Sequence, residues 1–189
     1  MRHKRYKQIY PGIHNRRTIR LPHYDYGQAG AYFITVCVKD RICKLGEVVG
    51  EDVALSAEGK IVQSVWDELP EHYSHVELDE FVVMPNHVHG IVWIKEREEA
   101  NVGARHASPL RRPRGFKSGS LGSTVASFKS AATRKINQLH KTTGTPFWQR
   151  GYYEHIIRND EDLQQHRKHI QENPLKWSLD EYYREATYA

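Results

Sequence analysis

Apolar positions along this chain change their period from segment to segment, and the changes mark out the elements. Ala31-Tyr-Phe-Ile-Thr-Val-Cys-Val38 is a run of aromatic and β-branched residues, which predicts a strand. A second short strand is expected over Lys44 to Val49. Ser56 then stands as an N-cap before Ile61, Val62, Val65, Trp66 and Leu69, whose spacing is helical, and Pro70 is expected to end that helix. Val76 to Val83 and His87 to Ile94 both read as strands, joined by the turn residues Met84-Pro85-Asn86 into a hairpin. Leu121, Val125, Phe128, Ala132, Ile136 and Leu139 recur at steps of three and four, the mark of an amphipathic helix. Tyr152 to Ile157 predicts a short strand. Asn159 is placed to cap a last helix with Asp160, Glu161 and Asp162 in its first turn, where carboxylates favour the positive end of the helix dipole. Asn173-Pro174 ends it. Strands with helices between and after them predict an α+β domain, a mostly antiparallel sheet with helices on one face.

Residues 1–22 read as an extended arm, broken by Pro11, Gly12 and Pro22, and the polar stretch 96–119 as a loop. The domain proper is expected over 23–177, with 178–189 as a C-terminal tail. The 189 residues suit one such domain, and 39% hydrophobic content suffices for its core. No apolar run reaches membrane-spanning length and the N-terminus lacks an apolar signal region, so a cytoplasmic protein is expected. Cys37 and Cys43 have no partners at zinc-site spacing and read as reduced thiols.

Charge alters the picture through its distribution rather than its total of +5. Residues 1–20 carry seven Lys or Arg and no acid; residues 101–150 carry ten and no acid. Two long acid-free tracts favour a polyanionic partner over a merely solvated basic surface. Arg111, Arg112, Arg114 and Lys117, beside Phe116, together with Lys129, Arg150 and the N-terminal arm, are the candidate contacts to single-stranded or hairpin DNA, which binds through cations on its backbone and aromatics under its bases.

The sharpest local feature is Met84-Pro-Asn-His-Val-His-Gly90. On a strand, His87 and His89 point to one face and Val88 to the other. Two adjacent imidazoles either hold one divalent ion with positions left open or stand as an exposed pair. His169 and Asn173 share a face of the last helix, with Gln165 a turn earlier, while Leu163 and Ile170 mark its packed side. That polar stripe either completes a metal shell or is solvated, with Asn173 as a C-cap. A His-x-His amidohydrolase barrel needs about 250 residues and repeated strand–helix units, which this chain lacks.

Several stretches in order resemble the HUH single-tyrosine transposases, in particular the REP-associated branch. They are Tyr32-Phe-Ile-Thr-Val36, Leu78 through Gly90, Arg112-Pro-Arg-Gly115 leading to Phe128-Lys-Ser130, Phe147 through Arg158, and Asn173-Pro174. The resemblance runs from about residue 20 to residue 177. It implies a ferredoxin-like sheet with His-x-His on a central strand. It implies Mg²⁺ or Mn²⁺ held by His87, His89 and Asn173, and cleavage of single-stranded DNA near a hairpin by a monomer or homodimer. It further implies a tyrosine on the last helix, four residues before the Asn of Asn-Pro, that forms a 5′-phosphotyrosine link and frees a 3′-hydroxyl. Here that position is His169. The departure leaves several readings open: strand transfer is lost and DNA binding remains, Tyr153 or Tyr152 substitutes, His169 itself attacks, or His169 enters the metal shell.

Overall fold

The structure is a computed structural model that describes residues 25–96 and 116–184. The arm, the loop with Arg111, Arg112 and Arg114, and the last five residues lie outside the described part. Strand β1 (Gly30–Cys37) is followed by a 3₁₀ turn (Lys39–Arg41), the small hairpin β2 (Gly46–Val49) and β3 (Asp52–Leu55), and helix α1 (Ala57–Asp67). A short α2 (Leu69–His72) leads to β4 (Val76–Val83) and β5 (His87–Ile94). Then come α3 (Leu121–Leu139), β6 (Tyr153–Ile157), α4 (Asp160–Glu172) and a 3₁₀ turn (Pro174–Leu179). The main sheet has four strands in the order β4-β5-β1-β6, each pair antiparallel, so β5 and β1 are central.

The expected caps are made: Ser56 Oγ accepts from the Gly59 amide, and Asn159 Oδ1 from that of Asp162. Pro70 opens a short helix rather than closing the previous one, because a first-turn residue needs no amide hydrogen. Strand β3 had no sequence signal; its two inward residues are only half-buried, so its pattern is faint.

Each strand of the sheet serves two layers. Tyr32, Ile34, Val36, Val88 and Val92 face the larger core with Val62, Val65 and Trp66 of α1 and Val125, Phe128 and Ala132 of α3. Ala31, Phe33 and Ile91 face the other way, against Leu163 and Ile170 of α4. The expectation of helices on one face describes α1 and α3; α4 forms a second, smaller layer opposite. Its seat is prepared by a bulge in β4, where Leu78 pairs with Val92 but Phe81 pairs with Gly90. The extra residue lets both Asp79 and Glu80 reach α4. Asp79 takes a two-pronged contact from Arg167 (2.9 and 2.6 Å), and Glu80 accepts from Gln171 one turn on (2.9 Å).

On the opposite layer, Trp66 and Phe81 stack at 4.2 Å above Gly90. A Cβ on Gly90 would come 2.6 Å from the Trp66 ring and 2.9 Å from Phe81. The glycine after His-x-His therefore lets an aromatic pair lie on the backbone of the central strand. Gly90→Ala is expected to destabilise the fold by about 1–3 kcal/mol, the usual cost of overpacking. Urea unfolding would show it as a lower midpoint at unchanged slope; an unchanged midpoint would mean that the two rings yield freely.

Candidate metal centre

Strand alternation puts His87 and His89 on the α4 side of β5, and their central position buries them, to 0% and 2% exposure. Their Nε2 atoms are 3.0 Å apart. Each ring is held from behind through Nδ1. Asn86 Nδ2 donates to the carbonyls of Arg41 (3.1 Å) and Tyr182 (2.8 Å), which leaves Asn86 Oδ1 to accept from His87 Nδ1 at 2.9 Å. His87 thus carries its proton on Nδ1 and presents a bare Nε2. His89 Nδ1 lies 2.8 Å from the hydroxyl of Thr35, its register partner on β1. A threonine hydroxyl donates or accepts. When it donates, the two histidines share a hydrogen bond; when it accepts, both Nε2 lone pairs face one point, an arrangement that only a cation relieves.

A carboxylate closes on that point, and an amide stands next to it. The 3₁₀ turn after α4 brings round Asp180, and a carboxylate oxygen of Asp180 lies with the two histidine nitrogens in a set whose members are all within 4.8 Å of one another. Asn173, at the C-terminus of α4, donates from Nδ2 to Asp180 at 3.1 Å. Its Oδ1 is buried and has no hydrogen-bond partner in the structure. An orphaned buried acceptor costs about 1–3 kcal/mol, which a cation ligand offsets. Two metal–nitrogen bonds of about 2.1 Å at right angles place the nitrogens about 3.0 Å apart, the octahedral spacing of a hard divalent ion. The residues present therefore fit such an ion: two imidazoles, a carboxylate and an amide oxygen.

Burial, and then the positive charge of His169 and Arg41, pulls His87 down to about 3. Burial, then His87, His169 and His166, holds His89 well below its usual value. Both stay neutral at pH 7, the form that ligates metal. His169 is lowered as well, mainly by desolvation.

The other predicted residues are spread more widely. The His169 ring packs 4.9 Å from His89 and 5.8 Å from Phe33 with an edge exposed, and its Nε2 is 3.5 Å from Asn173 Nδ2. Tyr153 is on the histidine face of β6 but 39% exposed, its ring 6.5 Å from Phe33. Tyr152 packs on the opposite face, against the larger core. Lys129 is committed to structure, donating to the carbonyls of Gln149 (2.7 Å) and Gly151 (2.6 Å). Arg150 is exposed on the loop so tied down, and the exposed Lys117 pairs with Asp25 at 3.1 Å. Gln165 points to Glu161 and solvent.

Asp180, Thr35, Arg41 and Tyr182 were absent from the sequence reading. Asp180 and Tyr182 fall in the segment read as a tail, whose described part instead runs back over the histidines. Only Asn86, inside the Pro-Asn-His-x-His run, carried a signal. A second cluster, His155, Asp162 and His166, joins β6 to α4: His155 Nε2 lies 2.9 Å from Asp162, and the two imidazoles stack at 4.5 Å.

The histidine pair also sets an acid limit. A folded-state pKa below the unfolded 6.5 means that the unfolded chain takes up protons first. The stabilisation is complete above pH 6.5 and is lost as pH falls from there, towards about 3 for His87, with His89 acting in the same direction. Denaturant midpoints between pH 7.5 and 4.5 should fall steeply for the native chain and less steeply for His87→Gln/His89→Gln. Parallel curves would contradict this.

No protein-family model matches the chain. An uncharacterised Haemophilus influenzae protein is 38% identical over 176 residues, covering 91% of this chain and 95% of that protein. A second Haemophilus influenzae protein, described as a REP-associated tyrosine transposase, is 24% identical over 176 residues, covering 87% and 81%. Among solved structures, a REP-associated tyrosine transposase bound to a REP hairpin superposes with a TM-score of 0.57 at 21% identity, covering 84% of this chain and 73% of that one. Its fold, with His-x-His on a central strand of an antiparallel sheet, is the one found here. The chain belongs to one family with its 38% identical Haemophilus relative, and it is similar in fold to the REP-associated tyrosine transposase.

Proposed function

We propose that this protein nicks and rejoins single-stranded DNA at hairpins with the help of a divalent cation, Mg²⁺ or Mn²⁺, held by His87, His89, Asp180 and Asn173. The observation that carries the reading is the convergence of two buried, neutral imidazole nitrogens 3.0 Å apart with a carboxylate, next to which Asn173 leaves a buried amide oxygen unpartnered. Bound there, the cation would polarise a phosphate and stabilise a departing 3′-oxygen. The protein's own residues keep the site ready. Asn86 holds His87 in one tautomer, Thr35 lets His89 adopt the matching one, and the bulge-anchored α4 holds Asn173 over both. Hairpin DNA as substrate is carried over from the solved relative, which is bound to a REP hairpin. It agrees with the acid-free tract at 101–150 and with the exposed Arg150. Along α3, an open groove of about 610 Å³ has Arg134 in its wall, a cation that suits a nucleic-acid backbone.

One observation favours a second reading. With His169 at the family's tyrosine position, the chain can be a hairpin-DNA binder that has lost the covalent step. The two readings separate on labelled single-stranded DNA from hairpins flanking the gene, incubated with Mn²⁺ and run on a denaturing gel. A covalent adduct establishes the enzyme; tight binding without an adduct establishes the binder. The metal site has its own test. Asp180→Asn and Asn173→Ala should each weaken Mn²⁺ binding about 10–100-fold by calorimetry, and affinity unchanged in both would remove these residues from the ligand set.

A further inference from the structure

Among the described residues, the phenol nearest the histidine pair belongs to neither α4 nor β6. The Tyr182 ring lies 4.7 Å from that of His87 and 6.3 Å from that of His89. Its backbone carbonyl is clamped by Asn86, the residue that also fixes His87. The Arg41 guanidinium lies 4.8 Å over its ring, and the Glu181 carboxylate is close enough for its charge to bear on the phenol. Other described tyrosines are worse placed: Tyr152 faces the opposite core, Tyr153 meets Phe33 near the sheet edge, and Tyr183 turns away onto Trp177 at 5.3 Å.

Arg41 is held at a conformational cost. Asp40 and Arg41 are consecutive non-glycine residues in the left-handed region, at φ 59° and 56°. Strain of this kind persists only where surrounding contacts impose it, and it gathers at working sites. Here Asn86 imposes it by gripping the Arg41 carbonyl at 3.1 Å. The guanidinium makes one long hydrogen bond, 3.4 Å to the Glu181 carbonyl, and keeps further donors for a phosphate.

We infer that Tyr182 is the nucleophile of this chain, with Glu181 as its proton acceptor and Arg41 as the cation that receives the scissile phosphate. The inference rests on the nicking reading above and accounts for how that reading survives the loss of tyrosine at position 169. Three successive residues then divide the work: Asp180 on the cation, Glu181 on the proton, Tyr182 on phosphorus. The Tyr182 oxygen attacks phosphorus as its proton passes to Glu181. The bond from phosphorus to the 3′-oxygen breaks, and that oxygen takes a proton from water. One P–O bond forms and one breaks, so the phosphodiester energy is kept for rejoining, when the 3′-hydroxyl attacks the phosphotyrosine.

The full chain would be incubated with Mn²⁺ and a single-stranded hairpin oligonucleotide, digested with trypsin, and the nucleotide-bearing residue located by fragment mass spectrometry. The modification is expected on Tyr182. Tyr182→Phe should lose the adduct while still binding the hairpin, and Tyr183→Phe should keep it. Glu181→Gln should slow adduct formation at unchanged hairpin affinity. An adduct on His169 or Tyr153, or one that persists in Tyr182→Phe, overturns the inference and leaves the nicking reading intact. No adduct with the native chain overturns both.

Discussion

Two imidazoles buried side by side on the central strand constrain nearly everything else in this protein. A neutral histidine out of water needs both ring nitrogens satisfied. Asn86 and Thr35 satisfy the rear nitrogens, which turns the front nitrogens towards each other at 3.0 Å. The same burial keeps both rings unprotonated. A site that must stay dry, neutral and open to a cation is easiest to build in the middle of a sheet, where flanking strands exclude water on two sides.

The rest of the molecule closes the third side. The bulge in β4 sends two successive acidic residues to the same face, and these grip Arg167 and Gln171, one turn apart on α4. That grip fixes the helix, which in turn fixes Asn173 beside Asp180. On the far face, Gly90 lets Trp66 and Phe81 stack against the backbone of the histidine strand, so β5 is braced from behind as well. The segment after the last helix then lies across the front and joins the strained 3₁₀ turn at Arg41 through the side chain of Asn86.

The proposed nicking draws on a candidate cation site, an arginine and a phenol that lie together. The His169 ring packs against His89 and Phe33.

Much of this was legible along the chain. The alternation in His87–Ile94 put both histidines on one face, the spacing from Leu121 to Leu139 gave α3, and Asn159 announced α4; these are short-range patterns that local sterics enforce. The resemblance carried by the motifs located the fold. What stayed hidden depends on contacts between residues far apart in sequence. Nothing near Thr35 shows that its hydroxyl will meet His89, 54 residues on. Nor does the run after Asn173-Pro174 reveal that Asp180 and Tyr182 return to the histidines, because their partners lie on β5 and beside β1. Sequence by itself determined which strand presents the imidazoles; only the tertiary structure decided which other side chains meet them, since a metal-sized site is assembled by packing across the sheet rather than by any local period.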